Sequence, residues 1–307
     1  MKDRIKPKVL VILGTTASGK TSLGVRLAAE LNGEIVSADS RQIYKGMDVG
    51  TGKDLKEYKI GRRSIPYHLI DIVSPRTEFD LAQYQSKALA AIRSIINKQK
   101  LPIIVGGSGL YLQAIVDNYR LSAAKPNQPE RARQAKLSAL ELFSQLQESK
   151  PDFAARLNNS DKNNPRRLMR YLEIVASGGD GHFQKGEADY DFLLLGLTWP
   201  DKVLRGRILC RLLERLEKEG LIAEVKRLSD KGLSWERLRS FGLEYRFVSQ
   251  HLAGELSYGE MVDKLGTAIY RFAKRQKTWF KRWEKQGAKI KWIKDLAAAR
   301  KEISRWR

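Results

Sequence analysis

The residues with the clearest chemical potential form one run near the N-terminus, Gly14-x-x-x-x-Gly19-Lys20-Thr21. This is the spacing of a P-loop, in which successive backbone N–H groups turn inward around phosphate oxygens. In such a loop the lysine reaches the phosphate bridge and the threonine hydroxyl holds Mg²⁺, so Thr21 is the metal candidate. The alternative is a glycine-rich turn that binds nothing. The candidate diphosphate-binding residues are Gly14, Thr15, Thr16, Ala17, Ser18, Gly19, Lys20 and Thr21.

The elements around this loop are those that a phosphate site needs. The apolar run Val9 to Leu13 predicts a strand before the loop, and Ser22 to Leu31 predicts a helix after it, whose positive end points at the anion. A second strand, Glu34 to Ser37, leads into Asp39. Because ligands bind at the carboxyl ends of parallel strands, Asp39 is the best-placed acid of the N-terminal half. A helix-capping or turn aspartate is the alternative interpretation.

Two further segments are predicted to reach the same edge of the sheet. The strand Leu101 to Val105 ends in Gly106-Gly107-Ser108, a second candidate loop for phosphate or substrate. Lys45 to Lys53 is rich in glycine and indicates either a loop over the site or a plain surface loop. Pro66 to Val73 predicts a third strand.

The chain is predicted to be α/β, with a P-loop NTPase-like parallel sheet, a helical insertion domain and basic C-terminal helices. The predicted domains are residues 1–119 for the first part of the core, 120–188 for the insertion and 189–307 for the remainder. Within the insertion, one helix is expected over 129–147 and another from Pro165. Phe192 to Thr198 predicts the strand that returns to the core.

Basic residues are in large excess. The sequence has 57 Lys and Arg against 35 Asp and Glu, a net charge of +22, and residues 266–307 contribute 14 basic against 3 acidic residues. Such an excess indicates a polyanionic partner, either nucleic acid or an anionic membrane surface, or else only a solubility effect. No apolar run approaches the length of a membrane span, so we expect a cytoplasmic protein that does not enter membranes.

Two predicted helices carry arginines at positions where they could meet an anion. Arg166, Arg167 and Arg170 occupy the first turns of the helix from Pro165, where cations oppose the helix dipole, which indicates either an anion that meets them or a solvated face. A later helix, Asp201 to Gly220, carries three arginines spaced four apart on one face that could point back over the P-loop. These three are Arg207, Arg211 and Arg215.

The helix predicted over 267–286 has two faces. Lysines including Lys274 lie on one face, which we interpret as binding nucleic acid. Phe272, Trp279 and Trp283 lie nearly opposite and are interpreted as core.

The order of six segments resembles the tRNA dimethylallyltransferase family, also called tRNA isopentenyltransferases. These segments are GTTASGKT, SADSRQIYKGMDVGTGK, HLIDIVSP, GGSGLYLQAI, NNPRRLMRYLE and FAKRQKTWFKRW. The resemblance implies transfer of a dimethylallyl group from dimethylallyl diphosphate to N6 of adenosine 37, beside the tRNA anticodon, with Mg²⁺ as cofactor. It also implies binding of the anticodon stem-loop by the insertion and the C-terminal helix. The single cysteine, Cys210, excludes the zinc finger of the eukaryotic relatives, so we expect a protein of the bacterial type. We also expect a monomer.

The resemblance also implies roles for individual residues. Asp39 matches the general base, Thr16 a catalytic P-loop threonine and Ser108 a hydroxyl position beside the substrate. The chemistry of a departing diphosphate, rather than the resemblance, predicts that an arginine such as Arg207 takes up its charge. The tRNA-binding residues that the resemblance implies are Asp39, Ser40, Arg41, Gln42, Arg166, Arg167 and Arg170. Lys274 is added to them from the lysine face of its helix.

The sequence departs from the family pattern at a few positions. Thr15 replaces a proline, Gly52 an alanine and Tyr270 an arginine that is common there. The segment around Gly242 to Arg246 differs from the usual Gly-Tyr-Arg/Lys and is longer.

Three other functions remain compatible with parts of the sequence. A P-loop kinase for a small metabolite explains Lys20 and Thr21 but not the basic tail. A prenyltransferase acting on free adenine nucleotides does not explain the insertion. A non-catalytic RNA-binding protein does not explain an intact Lys20, Thr21 and Asp39.

Overall fold

The computed structural model describes residues 6–121, 127–179 and 184–307. In that part of the chain the strands are β1 Lys8–Gly14, β2 Gly33–Ala38, β3 Lys59–Ile60, β4 Arg63–Ser64, β5 Tyr67–His68, β6 Leu101–Gly106, β7 Tyr119–Arg120, β8 Gln184–Lys185, β9 Asp191–Leu197 and β10 Ile290–Ile293. The helices are α1 Lys20–Glu30, α2 Leu81–Asn97, α3 Gly109–Val116, α4 Gln128–Gln134, α5 Ala139–Ser149, α6 Pro151–Arg156, α7 Asn159–Lys162, α8 Pro165–Ala176, α9 Asp201–Glu217, α10 Leu221–Asp230, α11 Trp235–Ser240, α12 Leu243–Leu252, α13 Tyr258–Lys285 and α14 Leu296–Trp306, with a 3₁₀ turn at Leu55–Tyr58.

The chain divides into two compact units. One comprises Met1–Val116 with Ala188–Arg307, and the other is Asp117–Glu187. The insertion was predicted at 120–188, and the second unit begins three residues earlier. The reason is that β7, near the start of this unit, pairs antiparallel with β8, near its end. This strand pair was missed in the sequence because each member has only two residues.

The first unit is built on a parallel sheet with the order β10-β9-β1-β6-β2-β5. Strand β1 lies between β9 and β6, as a P-loop-like core requires. Alternate β1 residues enter different apolar clusters: Val9, Val11 and Leu13 pack with α2, α3 and α13, whereas Leu10 and Ile12 pack with α1 and α14. Because helices cover both faces, the central strands β1, β6 and β9 are mostly apolar rather than alternating. The predicted fold class, including the return strand β9, is confirmed.

A further apolar cluster joins α9, α10, α12 and α13. The longest helix, α13, begins at Tyr258, nine residues before its predicted start at 267, because Ser257 and Glu260 form a capping box. Its buried face therefore spans both this cluster and the one beneath the sheet.

The predicted third strand over Pro66–Val73 was wrong in length. Only Tyr67 and His68 pair with β2. Leu69 and Asp71 then adopt positive φ angles of 63° and 56°, and strands cannot continue through that conformation. The carboxylate of Asp71 is bound by the buried ammonium of Lys53 at 2.5 Å, which turns the chain away from the sheet.

The second unit has its own apolar cluster, to which α5, α6 and α8 contribute Leu142, Phe153 and Leu168. The single helix predicted over 129–147 is two helices, α4 and α5. Ser138 caps α5 through a capping box with Glu141, so the chain restarts there. The predicted helix start at Pro165 is confirmed, with Asn164 as its cap.

Candidate active site

The P-loop connects β1 to α1 in a tight turn. Ala17 and Gly19 have φ angles of 58° and 91°, and the latter value favours glycine because it lacks a Cβ. The hydroxyl oxygens of Thr15 and Ser18 are buried with no hydrogen-bond partner among the described residues. Buried polar atoms without partners are rare in folded proteins, so this loop has capacity left for a ligand.

The P-loop is tied to the next strand end by one side chain of α13. The Gln276 Oε1 accepts a hydrogen bond from the Thr16 N–H at 2.8 Å, and its Nε2 donates to the Gly107 carbonyl at 2.9 Å. Gln276 is only 7% exposed. It therefore holds the two glycine-rich loops, one after β1 and the other after β6, in a fixed relation.

The outer side of the P-loop is held from the start of α9. Arg207 Nε donates to the Ala17 carbonyl at 2.8 Å, and Trp199 Nε1 donates to the Ser18 carbonyl at 3.0 Å. The Arg207 guanidinium also lies over the Trp199 ring, 5.0 Å from its centroid. Arg207, the arginine assigned to the diphosphate from the sequence, thus contacts the P-loop backbone rather than the space in front of it.

Asp39 and Ser108 lie at neighbouring strand ends, as their positions after β2 and β6 predict. The Asp39 Oδ1 accepts from the Arg41 N–H at 2.9 Å, and the Ser108 Oγ accepts from the Ser40 N–H at 3.1 Å. These bonds fix both side chains at the carboxyl edge of the sheet.

A cavity of about 330 Å³ opens at this edge. The sequence-predicted residues that line it are Thr16, Ala17, Ser18, Gly19, Lys20, Thr21, Asp39, Ser40, Arg41, Gln42 and Ser108. Gly14, Thr15 and Arg207 are not among its lining residues. Gly52, Arg211 and Arg215 also line it, and each lies in a segment that the sequence indicated could face the P-loop. Three further lining residues were not placed at the site from the sequence, namely Glu244, Phe272 and Gln276.

Burial and like charges shape the electrostatics of this cavity. Burial, together with the positive charges of Arg211 and Arg215, lowers the pKa of Lys20 to about 8, against the opposing effect of Asp39. Burial and the neighbouring Arg215 lower the pKa of Arg211 to about 10. Burial also raises the pKa of Glu244, although Arg215 opposes this. Burial thus makes the charges of Lys20 and Arg211 costly, and Arg211 is offset in part by its ion pair with Asp54.

The glycine-rich segment 45–53 is fixed by two buried charges. Glu224 accepts from three successive N–H groups, those of Asp48, Val49 and Gly50, at 2.8, 2.8 and 3.0 Å. Lys53 is fully buried and donates to the Tyr44 carbonyl and to two carboxylates. The segment is therefore an ordered wall of the cavity through Gly50, Thr51 and Gly52.

Gln42, predicted to bind tRNA, is used inside the protein. Its side chain is 9% exposed, accepts from the Ser37 hydroxyl at 2.9 Å and donates to the Gly52 carbonyl at 2.9 Å. Its tRNA-binding role stays a prediction, and its amide already links β2 to the cavity wall.

Phe272 corrects the interpretation of the aromatic face of α13 as core. Trp283 is buried, but Phe272 is 38% exposed and lines the cavity. Helical spacing places both residues on similar faces, and only the position of the cavity distinguishes them.

The lysine face of α13 is partly used in internal contacts. Lys277 pairs with Asp201 at 2.6 Å, whereas Lys274 is exposed with its ammonium 5.2 Å from the centroid of the Tyr270 ring. Arg205 stacks on the same ring at 4.8 Å, so the tyrosine that replaces the usual arginine packs between two cations.

The arginines of α8 have acidic partners within their own unit. Arg167 pairs with Asp161 at 2.5 Å, and Arg170 pairs with Glu173 at 3.0 Å, while Arg166 is exposed. The anion that meets Arg167 is therefore a nearby carboxylate. Their role in tRNA binding stays a prediction.

One residue that was missed, Gln276, carried a signal in the sequence. Gln276 is the polar member of the buried α13 positions Ala273, Gln276, Phe280 and Trp283. A glutamine on an apolar stripe indicates a buried hydrogen-bonding role. Arg211 was already placed on the correct face of α9 by its spacing, but the spacing could not say which arginine reaches the cavity.

Within residues 6–121, 127–179 and 184–307, no cluster of three or more His, Cys, Asp or Glu side chains could hold a metal ion. In the same residues, every helix is too short or too polar to cross a bilayer.

Comparison with known proteins identifies relatives over nearly the whole chain. The model of the family described as IPP transferase matches residues 42–283. The tRNA dimethylallyltransferase 2 of Citrifermentans bemidjiense is 47% identical over 293 residues, covering 94% of this chain and 90% of the relative. The tRNA dimethylallyltransferase 1 of Syntrophus aciditrophicus is 46% identical over 300 residues, covering 96% of this chain and 97% of the relative.

Solved structures give the same result. The tRNA isopentenylpyrophosphate transferase of Bacillus halodurans matches with a TM-score of 0.68 at 33% identity, covering 98% of this chain and 95% of that one. A eukaryotic dimethylallyltransferase, described as acting on tRNA, matches with a TM-score of 0.77 at 25% identity, covering 98% of this chain and 77% of that one. The chain belongs to the IPP transferase family and is a prenyltransferase by that membership.

Proposed function

We propose that this protein transfers a dimethylallyl group from dimethylallyl diphosphate to N6 of adenosine 37 in tRNA, with Asp39 as the general base. The observation that carries the proposal is that the P-loop residue Lys20 and the carboxylate Asp39 line one cavity. A diphosphate leaving group and a proton acceptor are the two things that this reaction requires of the protein.

In the reaction, N6 forms a bond to C1 of the dimethylallyl group while the bond from C1 to the diphosphate oxygen breaks. The electron pair of that bond leaves on the diphosphate, and the N6 proton passes to the Asp39 carboxylate. The N6 lone pair is conjugated with the adenine ring, so proton removal raises its weak nucleophilicity.

The charge on the departing diphosphate is stabilised by preorganised donors. The donors available to it are on residues that line the cavity, namely Lys20, Arg211, Thr16 and Ser108. Arg207 is a positioning residue: its hydrogen bond to the Ala17 carbonyl holds the P-loop that binds the diphosphate.

Mg²⁺ fits the donors of this site. It binds through few protein ligands together with substrate phosphates and water, and Thr21 lines the cavity next to Lys20. Thr21 would hold the ion against the diphosphate oxygens, where it would neutralise part of their charge.

The tRNA is proposed to contact the exposed cations of both units. Arg41 lies at the cavity, Lys274 is exposed on α13, and Arg166 and Arg167 are exposed on α8. A loop base must leave its stack to reach a cavity of this kind. The protein is proposed to act as a monomer in the cytoplasm.

The test is a transfer assay with radiolabelled dimethylallyl diphosphate, Mg²⁺ and unmodified tRNA, with AMP as acceptor in parallel. Label in tRNA supports the proposal, whereas label in AMP alone indicates a free-nucleotide prenyltransferase.

Asp39→Asn is expected to lower turnover by about 10²- to 10⁴-fold while tRNA binding persists. The matched control is Asp263→Asn, an exposed α13 carboxylate that does not line this cavity. Turnover of Asp39→Asn near the wild-type rate would remove Asp39 from the mechanism.

A further inference from the structure

We propose that Arg215 is a further binding residue for the diphosphate, and that Gly52 is a glycine because a side chain there would displace Arg215. This inference rests on the proposed function and adds to it a residue pair that neither the P-loop pattern nor the family resemblance assigned.

Arg215 is almost completely buried, which is unusual for an arginine side chain. It is 8% exposed and lines the cavity that contains Lys20, and its Nε has no hydrogen-bond partner among the described residues. Its nearest acid, the Glu244 Oε1, lies 3.6 Å from Nη1, beyond a good hydrogen bond. Burial of a guanidinium that is not fully paired is costly, and an anion bound in the cavity that Arg215 lines offsets part of the cost.

The anion that Lys20 binds is within the electrostatic reach of Arg215. The positive charges of Arg211 and Arg215 both act on Lys20 across the cavity. Three neighbouring cations repel one another in an empty site, and a polyanion placed among them removes that repulsion. The diphosphate is the polyanion of the proposed reaction, and it gains negative charge as it departs.

Because Gly52 has no side chain, the Arg215 guanidinium can lie directly against its backbone. Its φ of 62° is fixed in the ordered wall, and its carbonyl accepts from the Gln42 Nε2 at 2.9 Å. A Cβ built on Gly52 would overlap the Arg215 Nη2 and would lie 3.1 Å from the Arg211 Nη2. An alanine at position 52 therefore requires Arg215 to move, and the two residues form a matched pair.

The experiment measures binding of inorganic diphosphate with Mg²⁺ by titration calorimetry, with the Michaelis constants for dimethylallyl diphosphate and tRNA alongside. Arg215→Met is expected to weaken diphosphate binding about tenfold, as loss of a buried charge-assisted hydrogen bond does. The Michaelis constant for dimethylallyl diphosphate should rise in parallel, and that for tRNA should stay near the wild-type value. Gly52→Ala should weaken binding similarly, but should add little in the Arg215→Met background.

Gly46→Ala is the matched control for the glycine substitution. Gly46 has a φ of 72°, so alanine strains the backbone there as it does at Gly52, but nothing lies within 4 Å of a Cβ at Gly46. Gly46→Ala should therefore bind diphosphate as the wild type does. Equal losses in Gly46→Ala and Gly52→Ala would assign the effect to backbone strain and overturn the pairing with Arg215.

Glu244→Gln separates a ligand role for Arg215 from a purely structural ion pair. If Arg215 binds the diphosphate, removal of the competing carboxylate should tighten binding; loss of binding equal to that of Arg215→Met would overturn the proposal. The double variant Arg215→Met/Glu244→Gln leaves no buried carboxylate unpaired, so it reports on binding if Arg215→Met alone does not fold. Wild-type affinity in that variant would also overturn the inference. Failure of the proposed function would instead appear as a wild-type protein that transfers no label.

Discussion

Arg215 of α9 differs from Arg167 and Arg170 of α8 in how deeply it is buried and in how closely a carboxylate pairs with it. Arg167 and Arg170 on α8 each pair with a carboxylate of their own unit, and Arg167 is exposed. Arg215 on α9 is buried and has an Nε without a partner among the described residues. Exposed, paired cations tune long-range attraction to polyanions, whereas buried, incompletely paired cations fit a specific bound anion. The net charge of +22 thus includes two kinds of basic residue that sequence counts do not separate.

Lys53 provides the test with the largest expected effect, because it is buried like Arg215 but fully paired. Lys53→Met leaves Asp48, Asp71 and the Tyr44 carbonyl without their shared donor, so we expect a loss of about 2–4 kcal/mol in the free energy of unfolding. Denaturant titration measures this. Asp48→Asn is the matched control, because the Asp48 side chain is 49% exposed, and it should cost about 1 kcal/mol or less. A loss for Lys53→Met no larger than for this control would contradict the comparison.

Lys20 provides the second test through pH. With its pKa lowered to about 8 by burial, Lys20 is mostly charged at pH 7 and loses its proton as the pH rises toward 9. Bound diphosphate favours the charged form, so binding takes up a proton and affinity should fall by up to about tenfold per pH unit above 8. Calorimetry of the wild type against Lys20→Met separates this effect from titration of diphosphate itself. An identical pH dependence in both proteins would exclude Lys20 as its source.

Arg167 provides the test with the smallest expected effect. Because its ion pair with Asp161 is solvent-accessible, Arg167→Gln should change the free energy of unfolding by less than about 1 kcal/mol. If it contacts a phosphate, tRNA affinity should fall modestly and the slope of log affinity against log salt should decrease by about 1. Arg156→Gln, an exposed arginine of the same unit, is the control. Equal slopes for the wild type and Arg167→Gln would make Arg167 an ordinary surface charge.

Much of the fold could be predicted from the sequence because its signals are local. The apolar run of β1, the glycines and lysine of the P-loop and the return strand β9 were each evident in consecutive residues. The predictions failed where a distant residue decides the conformation. Lys53 turns the chain at Asp71 and shortens the third strand. The strands β7 and β8 pair across more than sixty residues and carry no periodic signal of their own.

The sequence by itself determined the P-loop, the placement of Asp39 and Ser108 at the same edge of the sheet, and the family resemblance, since all of these follow from residue order along single elements. Only the tertiary structure decided which side chains complete the cavity. Gln276 reaches it from 260 residues beyond Thr16, Phe272 faces it rather than the core, and Arg215 rather than Arg207 lines it beside Gly52. Helical spacing fixes a shared face, but which members of that face meet a cavity depends on how the helix packs, and that is set by contacts distant in the chain.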